Sequence, residues 1–414
     1  MSVIQINNAA IWDSRADAAR MGSVVVAGER IESVSFDAAP PLPREGATMI
    51  NGAGMTLMPG MVEGHFHPSF VGITMPYELG LIPPERHALL TAANVRLILE
   101  HGFTSAFEAA SAKPMLGVTI RDAINEGIIP GPRMKAGSPE ITVTGGLGDE
   151  RRRHIYQESF GMIGDGPAEL RKIARECIRD GVDTIKINIS GDEFVGHARA
   201  ETTPMREDEL NELVTIARRF NKKIAAHARS SESVKLAVKF GIDCIYHCDF
   251  ADEEALDMLE SVKDKIFVGP AFGLVYNCTQ DPNLGLGRET CEAMGLYRKF
   301  ESTCATYHEI RKRGIRVVIG GDYGFAMTPM GQNARDIHHL VKYFGFSNVQ
   351  ALTSATTVGA QLMDMADEIG LVEEGYLADL LLVKGDVLSD VTLLQDKRNL
   401  AMVMKGGRIH ESAG

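Results

Sequence analysis

The stretch LMPGMVEGHFH, residues 57–67, is an apolar run that ends in two histidines, His65 and His67. Side chains alternate along a β-strand, so two imidazoles that lie two residues apart point to the same side. Later apolar runs also end in a single reactive side chain, and these residues are Lys186, His227, His247 and Asp322. The pattern indicates a set of strand ends that together carry a metal site.

Short apolar strands alternate with helical stretches through the middle of the chain, which is typical of a parallel sheet. Strands are predicted at residues 58–65, 104–109, 133–138, 184–189, 223–228, 244–249, 266–271 and 316–322. This count favours an α/β fold, a (β/α)8 TIM-like barrel, in which functional residues gather at the carboxyl ends of the strands. A doubly wound sheet is the alternative, but it would not naturally bring ligands from five separated strands to one point.

The sequence pattern differs at both ends of the chain, where it indicates short strands and tight turns and few helices. We therefore predict that the two ends share one small β-sandwich domain, built from residues 1–57 and 364–414. The catalytic barrel is then expected to span residues 58–363.

The composition limits the partners. The chain has 414 residues, 44% of them hydrophobic, and a formal net charge of −12 without a Lys/Arg-rich block. This excludes a nucleic-acid footprint and favours a small-molecule substrate. No apolar stretch reaches the ~20 residues of a membrane span, and the start lacks the pattern of a signal peptide, so we expect a cytoplasmic protein without a membrane partner.

Several motifs together resemble the amidohydrolase superfamily over nearly the whole chain. They are PGMVEGHFH (59–67), GPR (131–133), TGGLGD (144–149), IKINISG (185–191), AHA (226–228), YH (246–247), GD (321–322) and GLVEEGYLADL (370–380). The similar branch is that of metal-dependent hydrolases, which includes imidazolonepropionase-like proteins and prolidase-like Xaa-amino-acid peptidases.

The resemblance implies a centre of two divalent metal ions, most often zinc. His65, His67 and Asp322 would hold one ion, and His227 and His247 the other. Lys186 would bridge them as an N6-carboxylated lysine, because an ammonium cannot bind a metal while a carbamate can. The implied reaction is attack of a metal-bridged hydroxide on a C–N bond of an amide, lactam, carbamate or urea, with Asp322 as the catalytic acid and base.

Some positions depart from the family pattern or suggest substrate contacts. Glu63 stands where the family usually has Asp, and Leu147 stands where prolidase-like members usually have His. Arg229 has the strand parity of His227, so it either clamps an anionic substrate group or pairs with a buried acid such as Glu108 or Asp249. Further candidates for substrate binding, all in loops near predicted strand ends, are Leu147 itself, His197, Tyr276 and Tyr323.

Other functions remain open from the sequence. A prolidase-like dipeptidase is the first alternative. A mononuclear heterocycle aminohydrolase is the second, although Ser230 occupies the position where such deaminases usually carry Glu. A barrel that has lost catalysis and acts as a scaffold is the third. Members of the family that the chain resembles are usually oligomeric, so we also expect a homo-oligomer.

Overall fold

The computed structural model describes residues 2–36, 45–156 and 159–412. Its strands, in chain order, are β1 (Val3–Ile11), β2 (Arg20–Ala27), β3 (Arg30–Ser35), β4 (Thr48–Asn51), β5 (Met55–Pro59), β6 (Met61–Phe66), β7 (Phe103–Glu108), β8 (Arg133–Lys135), β9 (Gly137–Thr142), β10 (Met162–Ile163), β11 (Thr184–Asn188), β12 (Lys223–Ser230), β13 (Cys244–Phe250), β14 (Phe267–Gly269), β15 (Leu380–Lys384), β16 (Leu400–Lys405) and β17 (Arg408–Ser412).

The helices alternate with the central strands. They are α1 (Glu78–Leu81), α2 (Pro84–Glu100), α3 (Leu116–Asn125), α4 (Gly166–Arg179), α5 (Glu207–Arg219), α6 (Ser231–Lys239), α7 (Glu253–Ser261), α8 (Phe272–Gln280), α9 (Arg288–Met294), α10 (Leu296–Lys312), α11 (Arg335–Phe344), α12 (Asn348–Ser354) and α13 (Thr357–Leu362). The alternation of strand and helix that the sequence predicted is therefore present.

The central strands are parallel and form two sheets, one in the order β6-β7-β8 and the other β10-β9-β11-β12-β13-β14. Only Ala136 separates β8 from β9, so the chain itself joins the two sheets. On the other side, Val318 N donates to Val268 O at 2.9 Å and Gly64 N donates to Ile319 O at 3.0 Å. Residues 316–319 thus lie between β14 and β6, and the α/β fold is of the TIM-barrel type.

The eighth predicted strand, residues 316–322, makes isolated bridges rather than a regular strand. A ring of eight regular strands therefore stays a prediction. The third predicted strand was placed too short: it continues through β9 to Thr142. Pro139 hid this extension, because proline in the middle of a run argues against a strand.

Strands from both chain ends share one eight-stranded sheet in the order β17-β16-β15-β5-β1-β2-β3, with β4 beside β1. β5 pairs with β15 in antiparallel register, Leu57 opposite Leu382, and leads directly into β6 through Gly60. A two-layered sandwich is not confirmed, and the domain bounds stay a prediction. Among the described residues, no helix is both long enough and apolar enough to cross a membrane.

The end of β7 carries a buried acid whose ionisation opposes folding. Glu108 is fully buried and accepts a hydrogen bond from Gly137 N at 2.9 Å. Burial, with a smaller contribution from nearby Asp183, raises the pKa of Glu108 from its ordinary 4.5 to about 8. The folded protein therefore keeps this proton over a pH range in which the unfolded chain has already lost it.

We predict that Glu108→Gln becomes more stable relative to the wild type as pH rises between those two values. The wild type should lose about 1.4 kcal/mol per pH unit over this range from Glu108, and the variant should not. Urea unfolding at about pH 5 and about pH 8 measures the difference. Glu85→Gln, at an exposed position of α2, is the control. Equal pH slopes for the wild type and Glu108→Gln would contradict the prediction.

Candidate metal centre

The ends of the first and last central segments bring three ligand atoms together. His65 Nε2 and His67 Nε2 lie 3.1 Å apart, and Asp322 Oδ1 lies 3.5 Å from the first and 3.2 Å from the second. Tetrahedral zinc with bonds of about 2.0–2.1 Å needs ligand atoms about 3.3 Å from one another. The spacing of these three atoms therefore fits one metal ion.

The hydrogen bonds of His67 set which ring nitrogen faces the cluster. Its Nδ1 lies 3.1 Å from Ala110 O, and a carbonyl can only accept, so Nδ1 carries the proton. In the neutral ring, the lone pair of Nε2 then faces the carboxylate of Asp322. A proton or a metal ion between these two acceptors would relieve their repulsion, and a metal ligand is oriented in this way.

The second pair of predicted ligands lies on the neighbouring strands β12 and β13. The rings of His227 and His247 have centroids 4.3 Å apart. His227 Nε2 lies 2.9 Å from Gly191 O and donates to it, which leaves Nδ1 as the acceptor nitrogen. Ligand atoms of His65, His247 and Asp322 all lie within 4.8 Å of one another, so the two pairs belong to one cluster.

The backbone at two ligands adopts a conformation that is unusual for residues with a Cβ. His247 has φ 80° and Asp322 has φ 64°. Tyr246, the residue before His247, stacks on His65 with centroids 3.9 Å apart and donates from its hydroxyl to Gly64 O at 2.7 Å. Tyr246 and His247 thus both contact the centre, although strict alternation would send them to opposite faces.

The positive φ also affects the direction of a cysteine on the same strand. Strict alternation counted from His247 predicts that Cys244 faces the helices, because the two residues differ in parity. It packs instead in a cluster with side chains from four other central segments, Val62, Phe107, Ala225 and Val318. The turn of the backbone at His247 is the reason that parity counted from this residue was misleading.

Burial keeps the imidazoles neutral. It lowers the pKa of His65, His227 and His247 well below the ordinary value, and neighbouring cationic groups lower the pKa of the last two further. Neutral imidazole is the form that binds metals.

Lys186 lies on β11 and is 1% exposed. Among the described residues, its Nζ has no hydrogen-bond partner and no carboxylate within 4.0 Å. The Nζ lies 5.1 Å from the centre of the Tyr246 ring. Burial lowers the pKa of Lys186, although Glu140 and Asp322 oppose the shift. A buried amine without an acid partner suits reaction with carbon dioxide better than a permanent charge.

A cavity opens at the centre. The six predicted ligands line it together with two acids and ten other side chains. These ten are Phe70, Thr74, Pro76, Leu147, Phe160, Phe194, Val195, Leu274, Phe325 and Met327. Nine of them are apolar, so the walls around the polar floor exclude water.

Of the predicted substrate contacts, Leu147 lines this cavity, but Arg229 does not. Arg229 is 1% exposed; its Nε lies 2.7 Å from Asp192 Oδ2, and its Nη1 pairs with Asp249. The pair with Asp249 was one of the two alternatives that the sequence left open. Two carboxylates already occupy the guanidinium, so a role as an anion clamp is not supported.

The remaining predicted contacts also lie outside the cavity wall. Tyr323 is buried and donates to Asp336 Oδ1 at 3.3 Å. His197 is exposed, in the loop after β11. Tyr276 lies on α8 and packs against His339, with ring centroids 4.4 Å apart. Helix α8 turns Tyr276 away from the site, and Leu274 of the same helix lines the cavity instead.

Glu63, the residue that replaces the usual Asp, holds the backbone of a ligand. Its Oε1 accepts from His65 N at 3.2 Å and its Oε2 from Asn333 Nδ2 at 2.9 Å. Burial, with Asp336 nearby, raises its pKa well above the ordinary range. The longer side chain therefore still orients the first histidine.

Two acids of the cavity were missed from the sequence, Glu140 and Asp192. Glu140 lies on the part of β9 that was not predicted as strand. Asp192 follows the motif around Lys186, in a loop where sequence gives no direction for a side chain. The register Lys186 opposite Glu140 across β11 and β9 would have identified Glu140, had the strand been extended.

Comparisons with known proteins agree with this arrangement. A model of the amidohydrolase family matches residues 56–410. Ochratoxinase from Aspergillus niger is 26% identical over 428 aligned residues, which cover 95% of this chain and 84% of ochratoxinase.

Solved structures share the fold. The crystal structure of A. niger ochratoxinase has a TM-score of 0.84 at 23% identity, covering 99% of this chain and 96% of that one. A prolidase complexed with N-methylphosphonate-L-proline has a TM-score of 0.88 at 24% identity, covering 100% of both chains. A Xaa-Pro dipeptidase with bound methionine has a TM-score of 0.87 at 24% identity, covering 99% of this chain and 100% of that one.

The buried ion pairs of Arg229 lead to a prediction. Arg229→Met should lower the free energy of unfolding by about 3–5 kcal/mol, because it leaves the carboxylates of Asp192 and Asp249 buried without their cation. Urea unfolding measures this loss, and Arg179→Met, at a side chain that is 72% exposed, is the control. Unchanged stability together with a raised KM for acidic substrates would restore the anion-clamp hypothesis.

Proposed function

Because this chain belongs to the amidohydrolase family, we propose that it hydrolyses a C–N bond of a small, largely apolar molecule at a centre of two divalent metal ions. Hydrolysis of C–N bonds follows from the family. The two-metal centre, zinc as the metal and carboxylation of Lys186 are our proposal. Its main support is the convergence of His65, His67 and Asp322 beside a buried lysine that lacks an acid partner.

The donors divide into two sets around Lys186. His65, His67 and Asp322 would hold one ion, His227 and His247 the other, and the carboxylated Lys186 would bridge the two. Bound divalent ions would polarise the substrate carbonyl and acidify water. Without the bridge, the two sets of imidazoles would have to share the single carboxylate of Asp322.

Proton transfer in the proposed reaction is assigned to a protein side chain, that of Asp322. Asp322 lines the cavity, and divalent ions bound beside it would keep its carboxyl group ionised. It is therefore a carboxylate that takes a proton from the attacking water and delivers it to the leaving nitrogen. Protonation matters for amides, because an amine would otherwise have to leave as an anion.

The cavity wall favours uncharged substrates. Among the described lining residues, Lys186 is the single Lys or Arg, and it belongs to the floor. A substrate carboxylate would lose its hydration against phenylalanine, leucine and methionine side chains without gaining a cation. Neutral aryl or alkyl amides, carbamates and ureas fit this wall better than dipeptides, whose carboxyl end needs a partner.

The competing functions have less support. In the aminohydrolase alternative, an acid is expected at position 230, but Ser230 caps α6 by accepting from Ser233 N at 3.0 Å. The dipeptidase alternative lacks a cationic contact in the cavity. A cytoplasmic location and self-association stay predictions.

Metal content tests the centre. We predict about two ions per chain for the wild type grown with zinc and bicarbonate, and a sharp fall for Lys186→Ala, which removes the bridge. Plasma mass spectrometry measures the metals, and native mass spectrometry shows the added mass of one carbon dioxide in the wild type alone. Lys172→Ala, on the exposed face of α4, is the control. About one ion that does not depend on Lys186 would overturn the two-metal proposal.

Paired substrates test the cavity wall. Acetanilide and 4-acetamidobenzoate differ by one carboxylate, and we predict that kcat/KM is at least ~100-fold higher for the neutral one. Leu147→Arg should narrow this ratio, because it adds a cation to the wall. A wild-type preference for the carboxylate, or for Xaa-Pro dipeptides, would contradict the proposed substrate class.

A further inference from the structure

The cavity contains one carboxyl group that neither the metal centre nor an ion pair uses. Three acids line the cavity, namely Asp322, Asp192 and Glu140. Asp322 contacts the two histidines of β6, and Asp192 pairs with Arg229. Glu140 makes no ion pair within 4.0 Å among the described residues, although it is only 6% exposed. Burial raises the pKa of Glu140, and the charge of Lys186, opposite it in the register, opposes this shift. Carboxylation of Lys186 would remove that charge and leave the Glu140 carboxyl group buried without a cation, which is energetically costly unless another group pairs with it.

Glu140 does not belong to the compact ligand cluster. The ligand atoms that lie within 4.8 Å of one another come from His65, His247 and Asp322. Glu140 lies opposite Lys186 in the register of β9 and β11, two strands away from His227 on β12 and three from His247 on β13. It therefore lies at the side of the centre, where part of a substrate would be held.

Asn188 fixes the direction of this carboxyl group. Asn188 Nδ2 donates to Glu140 Oε2 at 2.6 Å and to Leu147 O at 3.0 Å, so both of its hydrogens are used. Among the described residues this is the only hydrogen bond to the Glu140 carboxyl, and Oε1 is left to accept from another group. Asn188 Oδ1 is also buried without a partner. Beside Asn188, whose two amide hydrogens are both used, the Glu140 carboxyl group thus keeps one free acceptor oxygen.

The surroundings make such an acceptor selective. Apolar walls from Leu147, Phe160 and Val195 line the same cavity. In a site of low polarity, a hydrogen bond to a carboxylate is strengthened, and a ligand that cannot donate leaves the acceptor unsatisfied.

We propose that Glu140 is a specificity-determining residue that accepts a hydrogen bond from an N–H group of the substrate, either an amine or the N–H of a secondary amide. This inference rests on the proposed function, because it assigns a substrate feature to the same cavity. Asn188 is the positioning residue that aims the carboxyl group. The preferred substrates are then apolar molecules with a nitrogen-bound hydrogen, rather than tertiary amides or esters.

Binding of two small probes tests the amine arm without any hydrolysis. Calorimetry gives the Kd of 2-phenylethylamine and of 2-phenylethyl methyl ether, which share the apolar part; the amine has an N–H donor and the ether has no donor. The wild type should bind the amine about 10- to 100-fold more tightly. Glu140→Gln keeps an oxygen for Asn188 but replaces the free acceptor by a donor, so it should remove this preference for the amine. Glu150→Gln, an acid outside the cavity wall, should retain the preference.

Kinetics test the amide arm. The ratio of kcat/KM for 4-nitroacetanilide over its N-methyl derivative should fall about 10-fold or more in Glu140→Gln, while metal content stays that of the wild type. If Glu140→Gln does not fold, Glu140→Asp replaces it; its shorter side chain should weaken binding of the amine and leave binding of the ether, which has no donor, unchanged.

Loss of selectivity in either pair supports the proposal and identifies the donor. Selectivity that Glu140→Gln leaves intact in both pairs, or an equal weakening of all four compounds, overturns it. Because the binding arm needs no turnover, a protein that hydrolyses no anilide but shows amine selectivity dependent on Glu140 would disprove the proposed function and retain the acceptor role.

Discussion

The backbone hydrogen bonds on either side of residues 316–319 are the constraint on which the site depends. They hold this segment against β14 on one side and β6 on the other. Asp322 follows the segment and His65 ends β6, so these bonds bring together side chains from opposite ends of the domain. The ligands at the strand ends are buried, and burial lowers the pKa of His65, His227 and His247, which keeps these three imidazoles neutral. It also raises the energetic cost of leaving the cluster without a cation.

The centre is supported by groups that never touch a metal. The carbonyls of Ala110 and Gly191 select the proton position on His67 and His227, and Glu63 holds the backbone of His65. Positive φ at His247 and Asp322 costs energy that the surrounding bonds must offset. Rigid support of this kind fixes the ligands before any ion arrives, which reduces the reorganisation that binding requires.

Much of the site could be predicted because its chemistry sits at strand ends. His65, His67, Lys186, His227, His247 and Asp322 all line one cavity, as the strand-end pattern indicated. The start of α2 could also be predicted, because Pro84 stands at its first position, where proline is favoured. Side-chain direction in loops was not predictable, so Tyr276, Tyr323 and His197 were assigned to a cavity that they do not line.

Two further failures have definite physical causes. Pro139 interrupted the strand pattern and concealed Glu140, although β9 accommodates the proline. Alternation of side chains along β13, counted from His247, gives the wrong direction for Cys244. The backbone of His247 is left-handed, and such a residue interrupts the alternation. Arg229 shows a different limit, since a single sequence does not reveal which of several acids a buried guanidinium will contact.

The shared sheet of the two chain ends also imposes an order on folding. β5 runs directly into β6, the strand of the first two histidines, and one of its edges is covered by β15, from near the other end of the chain. During synthesis that edge stays uncovered until β15 has left the ribosome. Pairing of such distant segments is slow because a long loop must close first. The strand that leads to His65 and His67 therefore gains its final support only after β15 has been made, and the apolar edge of β5 is the part of the nascent chain most in need of protection until then.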